Sequence, residues 1–147
     1  MTNLDGKNDL IIFTDGGARG NPGPAAIGVV IKNQQEKILA SFGKYLGPTT
    51  NNVAEYQAVI EALSWLVTNL IDETDKRKIN FYLDSKLVVC QLNGLYKIKD
   101  FKLKSLIVKT RELEKKVTAK IFYNFIPRSK NYQADSLVNQ TLDKETY

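Results

Sequence analysis

The sequence predicts an α/β domain on a mixed sheet, with elements in the order βββαβααβα. Three observations carry this reading. Short apolar, β-rich runs alternate with stretches of helical apolar spacing. The first three runs are separated only by turn residues, as in an antiparallel meander. The last two are each preceded by helical sequence, which makes the sheet mixed.

Residues 10–15 are apolar and β-rich and run straight into Gly16-Gly17-Ala18-Arg19-Gly20-Asn21-Pro22-Gly23. Residues 25–32 and 37–45 read as two further strands, joined by the hairpin turn Asn33-Gln34-Gln35-Glu36. Thr49-Thr50-Asn51-Asn52 supplies helix-capping side chains. From Val53 to about Leu70, Val59, Ala62, Leu63, Leu66 and Leu70 fall on one stripe, which predicts a helix. Residues 79–84 read as a strand, and Ser85 opens a short helix that stops near Asn93-Gly94. A charged helix spans 101–116, a last strand spans 119–126, and residues 127–131 lead into a C-terminal helix. No repeat or linker interrupts this order, so residues 1–147 are read as a single domain.

Composition narrows the chemistry. A chain of 147 residues buries roughly 70% of its unfolded surface and needs no disulfide or structural metal to fold. The lone Cys90, among Val88, Val89 and Leu92, reads as a buried core residue and excludes cysteine-rich metal sites. Met1 to Lys7 is polar and no apolar stretch follows, so a reducing, cytoplasmic setting without a membrane span is expected. The chain has no histidine. Ser-His-Asp and Cys-His nucleophiles and imidazole zinc sites are thereby excluded. Catalysis must then use carboxylates, lysines, tyrosines, serines or a hard metal ion. The net charge of +5 fits a nucleic-acid partner without requiring one. Lys97, Lys99, Lys102 and Lys104 alternate with Tyr96, Ile98, Phe101 and Leu103, either as a solvated helix start or as a phosphate-contacting patch.

Four acids stand in unusual places. Asp15 and Asp84 each close a strand read as central and apolar, although an Asx turn at Asp15 and a helix cap at Asp84 fit each residue taken alone. Glu55 has Val59 at i+4, Ala62 at i+7, Leu63 at i+8 and Leu66 at i+11, so it shares the core-facing stripe of its helix. An unpaired carboxylate there costs several kcal/mol and needs a cation or a proton. Asp135 begins the last helix, near Ala134, Val138 and Leu142, and alone reads as a helix-start acid. Sites in such sheets form beyond the carboxyl ends of central strands. Four converging negative charges call for divalent cations, and oxygen-only ligands point to magnesium or manganese. Two such ions suit a phosphodiester displacement.

At this point motifs are legible. Phe13-Thr14-Asp15-Gly16-Gly17-Ala18-Arg19-Gly20-Asn21-Pro22-Gly23 resembles the first active-site segment of type 1 ribonuclease H. Thr50-Asn51-Asn52-Val53-Ala54-Glu55 resembles the second, and Leu83-Asp84-Ser85 followed by Leu87-Val88-Val89 the third. Residues 127–137, Pro-Arg-Ser-Lys-Asn-Tyr-Gln-Ala-Asp-Ser-Leu, resemble the fourth, and order and spacing agree over about residues 9–143. The resemblance implies a ribonuclease H-like fold: a five-stranded mixed sheet, its first three strands antiparallel, flanked by helices. It implies hydrolysis of the RNA strand of an RNA–DNA hybrid, with 5′-phosphate and 3′-hydroxyl products. It implies two Mg2+ ions, with Mn2+ as a substitute, on Asp15, Glu55, Asp84 and Asp135. Gly16, Gly17 and Gly20 then let the backbone approach a nucleic-acid strand. Asn21, Asn51 and Asn52 match positions that contact the hybrid, and Thr50 one that helps hold a DNA-strand phosphate. Helix capping is the other reading of the Asn51–Asn52 pair.

Two departures stand out. The loop before Asp135 lacks the histidine many members carry, so the chain resembles the histidine-free branch with its Pro-Arg-x-x-Asn-x-x-Ala-Asp pattern. Arg128, Lys130 and Asn131 are candidate nucleic-acid contacts there. The basic protrusion is also missing, and Tyr96, Lys97 and Lys99 are its expected partial substitute, with Tyr96 on the DNA strand. No hybrid-binding domain precedes Asp9, which suggests low processivity. A monomer is expected. Two other functions fit the same fold: a non-catalytic nucleic-acid-binding module, and a nuclease that also cuts double-stranded RNA.

Overall fold

The computed structural model describes residues 9–70 and 77–145. The Met1–Lys7 stretch read above for a leader lies outside them. The sheet comprises β1 (Leu10–Ala18), β2 (Gly23–Asn33), β3 (Ile38–Thr49), β4 (Lys78–Leu83) and β5 (Lys120–Phe125). The helices are α1 (Asn51–Asn69), α2 (Lys86–Leu92), α3 (Phe101–Lys116) and α4 (Tyr132–Glu145), with a 3-10 turn at Arg128–Lys130 before α4. Strand order is β3-β2-β1-β4-β5. The pairs β1–β2 and β2–β3 are antiparallel, and β1–β4 and β4–β5 are parallel. The expected mixed sheet, with its antiparallel meander, is the one observed.

Helix α1 starts where Thr50 caps it: the Val53 N–H donates to Thr50 Oγ1 at 3.2 Å. Capping thus falls to Thr50 rather than to Asn51 or Asn52. The predicted stripe packs on the sheet, with Val59, Leu63 and Leu66 fully buried with Leu10, Ile12, Ile79, Phe81 and Leu83. Each such aliphatic side chain stabilises the fold by roughly 1.5–3 kcal/mol. The first half of α1 is buried more widely than one stripe, because α3 packs on its other side through Leu103 and Leu106. Tyr56 lies fully buried and donates its hydroxyl to Gln91 Oε1 at 2.8 Å, joining α1 to α2.

Helix α4 covers the opposite face of β2. Ala26 packs with Val138 and Leu142 there, which leaves β2 buried on both faces. The approach is close enough that a Cβ at Gly28 would lie 2.2 Å from the Ala134 carbonyl oxygen, so only glycine fits. Three details differ from the expectation. β1 continues for three residues past Asp15, with Gly16, Gly17 and Ala18 paired to Ile27, Ala26 and Ala25. β4 and the first half of β1 bury only alternate residues, leaving Ile11, Phe13, Asn80 and Tyr82 half-buried. Cys90 is half-buried rather than a core residue. Among the described residues, no helix is long and apolar enough to cross a membrane.

Candidate active site

The parallel β1–β4 ladder ends at the pair Phe13–Tyr82, so Asp15 and Asp84 both lie just beyond it, at the carboxyl end of the parallel pair. Asp15 is part of a strand, which removes the Asx-turn reading. Ser85, not Asp84, caps α2, accepting from the Val88 N–H at 3.3 Å. Glu55, one turn into α1, reaches the same place: its Oε1 accepts from the Gly16 N–H at 3.2 Å. Carboxylate oxygens of Asp15, Glu55 and Asp84 lie within 4.8 Å of one another. Asp135, in the first turn of α4, lines the same cleft but stands outside that trio. Its Oδ1 is 3.8 Å from the Arg128 guanidinium.

Burial and mutual repulsion govern the acids. Asp15 and Glu55 are each only 6% exposed. Burial pushes Asp15 up to about 7, and the charges of Asp84 and Asp135 add to the rise. Glu55 is held well above its ordinary range, first by burial and then by the charge of Asp15. Its Oε2 is buried with no hydrogen-bond partner. An orphaned buried carboxylate oxygen beside two other carboxylates is the environment a hard cation satisfies. The donor set is oxygen throughout, so it fits a hard divalent ion.

Apart from Asn131, the other expected contacts fall into three groups, with Asn52 shared by two of them. Gly16, Gly17, Asn51, Asn52 and Arg128 line the carboxylate cleft. Asn21, Thr50 and Asn52 line an adjacent cleft with Asp100 and Lys102. Tyr96, Lys97, Lys99 and Lys130 are exposed and line neither.

Several of these side chains also have partners within the protein. Gly16 is buried, and a Cβ there would lie 2.2 Å from the Ala54 carbonyl carbon. The backbone it lets approach is thus that of α1. Asn51 Oδ1 accepts from the Ala18 N–H at 2.8 Å, and Asn21 Oδ1 from the Asn51 N–H at 2.9 Å. The acceptor ends of both amides are therefore engaged within the protein. Asn131 is 1% exposed, and its amide donates to the Thr14 carbonyl and to Asp84 Oδ2. A side chain so placed does not face a nucleic-acid strand.

Sequence reasoning missed Ser85, Arg19 and Asn139 in the carboxylate cleft. Asn139 carried a signal, since it lies one helical turn after Asp135 and donates to the Asp135 carbonyl at 3.2 Å.

The sheet order and the carboxylate cleft define a protein of the ribonuclease H-like class. A model of the family described as "Reverse transcriptase-like" matches residues 13–141. The chain belongs to that family and, within it, to type 1 ribonuclease H. It is 38% identical over 135 residues to the bifunctional protein Rv2228c of Mycobacterium tuberculosis, covering 91% of this chain and 35% of that one. It is 38% identical over 133 residues to ribonuclease HI of Halobacterium salinarum, covering 89% of this chain and 63% of that one. The chain thus spans about a third of the Mycobacterium relative and under two thirds of the Halobacterium one. Among solved structures, LC11-RNase H1 in complex with an RNA/DNA hybrid superposes with a TM-score of 0.90 at 42% identity, covering 95% of this chain and all of that one.

Proposed function

We propose that this protein hydrolyses the RNA strand of RNA–DNA hybrids, leaving 5′-phosphate and 3′-hydroxyl ends. The observation that carries the reading is the convergence of Asp15, Glu55 and Asp84 within 4.8 Å, with Asp135 on the same cleft, in a histidine-free chain. LC11-RNase H1, solved with an RNA/DNA hybrid, supplies the substrate class by similarity. Asp15, Glu55, Asp84 and Asp135 would hold two magnesium ions, with manganese as a substitute. When bound, such ions lower the pKa of the attacking water and stabilise the leaving 3′ oxygen. The chain's own part is to hold the acids at the mouth of the parallel pair and to exclude water around Glu55. Asn52 and Arg128 flank the acids, where a sugar–phosphate strand would run, and Thr50 and Lys102 offer a hydroxyl and a cation one cleft away. The chain is read as one catalytic domain acting as a monomer.

The test is a cleavage gel on labelled hybrid, duplex RNA and duplex DNA, each with magnesium, manganese or chelator. Cutting of hybrid RNA alone, dependent on metal, is expected. Asp84→Asn should abolish cutting and keep the circular-dichroism spectrum. Near-wild-type cutting by Asp84→Asn would sink the carboxylate reading. Metal-dependent cutting of duplex RNA would widen the substrate class, and hybrid binding without cleavage would make the protein a binding module.

A further inference from the structure

Asn131 occupies the joint between the 3-10 turn and α4, at a place where three of the four acids are held. Its Nδ2 donates to the Thr14 carbonyl at 2.9 Å and to Asp84 Oδ2 at 3.1 Å. Thr14 directly precedes Asp15. The Asn131 carbonyl accepts from the Asp135 N–H at 3.1 Å. One buried residue thus touches the strand beside Asp15, the carboxylate of Asp84 and the backbone of Asp135. Both amide partners are pure acceptors, so chemistry fixes which end of the amide is nitrogen and uses both of its N–H bonds.

We infer that Asn131 is a positioning residue that fixes the orientation of the Asp84 carboxylate and thereby the spacing of the acid trio. The inference rests on the carboxylate-site reading proposed above. Asp84 is half-buried and stands outside β4, so neither the sheet nor close packing locks its side chain. When ionised, Asp15 and Glu55 repel it, which favours a turn toward solvent. Among the described residues, the bond from Asn131 is the one hydrogen bond to its carboxylate. A charge-assisted bond from a buried, doubly anchored donor opposes that turn. An amide of this length meets the requirement. A carboxylate in its place would set acceptor against two acceptors, and a serine hydroxyl would bring one donor where two are used.

The experiment compares wild type with Asn131→Asp and Asn131→Ser. Magnesium and manganese affinity is read by calorimetry, kcat and KM on labelled hybrid, and folding by thermal melts. A positioning role predicts a fall in metal affinity of roughly 10- to 100-fold, a parallel fall in kcat and little change in KM. Asn131→Ser removes one donor without adding charge, and carries the test if Asn131→Asp does not fold. A folded variant with wild-type metal affinity overturns the inference. The second arm adds Asn131→Ser to Asp84→Asn. If Asn131 acts through Asp84, the double variant binds metal no more weakly than Asp84→Asn alone; additive losses overturn the inference. If wild type fails to cut hybrid, the proposed activity falls while the metal titration still decides the role of Asn131.

Discussion

Glu55 gives one oxygen to the Gly16 N–H and keeps the other buried with no partner, 6% exposed beside Asp15. Without a cation, a proton must make up the difference. Both acids have folded values above their ordinary ones, and Asp15 reaches about 7 from 3.8. The sign follows. A raised acid stabilises the fold fully below its unfolded value, and that stability is lost as pH rises through the folded value. Metal-free protein should therefore melt at a lower temperature near pH 8 than near pH 5, by a free energy on the order of a few kcal/mol. Asp15→Asn should raise the melting temperature near pH 8 and flatten the trend. Melts in chelator check this, and a profile that rises between those pH values would rule it out. Glu55 was legible in the sequence, because helical register alone aims it at the core. The buried role of Asn131 was not, since its amide partners lie 117 and 47 residues away and a polar loop between Lys130 and Tyr132 reads as surface.

At the scale of elements, the cleft depends on how closely β1 meets the first turn of α1. The Gly16 N–H holds Glu55, and the absent Gly16 side chain lets the Ala54–Glu55 backbone sit against the strand. A Cβ there would lie 2.5 Å from the Glu55 nitrogen, so Gly16→Ala must push α1 away from β1. Overpacking of this kind costs roughly 1–3 kcal/mol or more. Denaturant unfolding should show that loss, and calorimetry a weaker metal affinity. An alanine variant as stable and as metal-competent as wild type would show that the approach is not required. The order of elements was readable because apolar spacing differs between strands and helices. What escaped were features set by neighbours. Gly16-Gly17-Ala18 reads as a loop, yet β2 supplies a pairing edge that keeps it in the strand. The start of α1 reads as a one-sided helix, yet α3 covers its second side.

At the scale of the whole molecule, the acids and the lysines are separated. The carboxylates cluster at the end of the parallel pair, whereas Tyr96, Lys97 and Lys99 stand exposed between α2 and α3 and do not line the carboxylate cleft. A cation there is free to bind a phosphate and is not among the residues that surround the acids. Strand grip and chemistry should then separate in mutants. Lys97→Ala with Lys99→Ala should raise KM for hybrid and leave kcat near wild type. For each phosphate no longer neutralised by a lysine, the slope of log affinity against log salt should become shallower by roughly 0.7–0.9. Binding is best measured on the Asp84→Asn background, where the hybrid stays intact, across a salt series. If these lysines form only a solvated helix start, neither the slope nor KM moves. If instead kcat falls with KM unchanged, the segment acts on the cleft rather than on the strand.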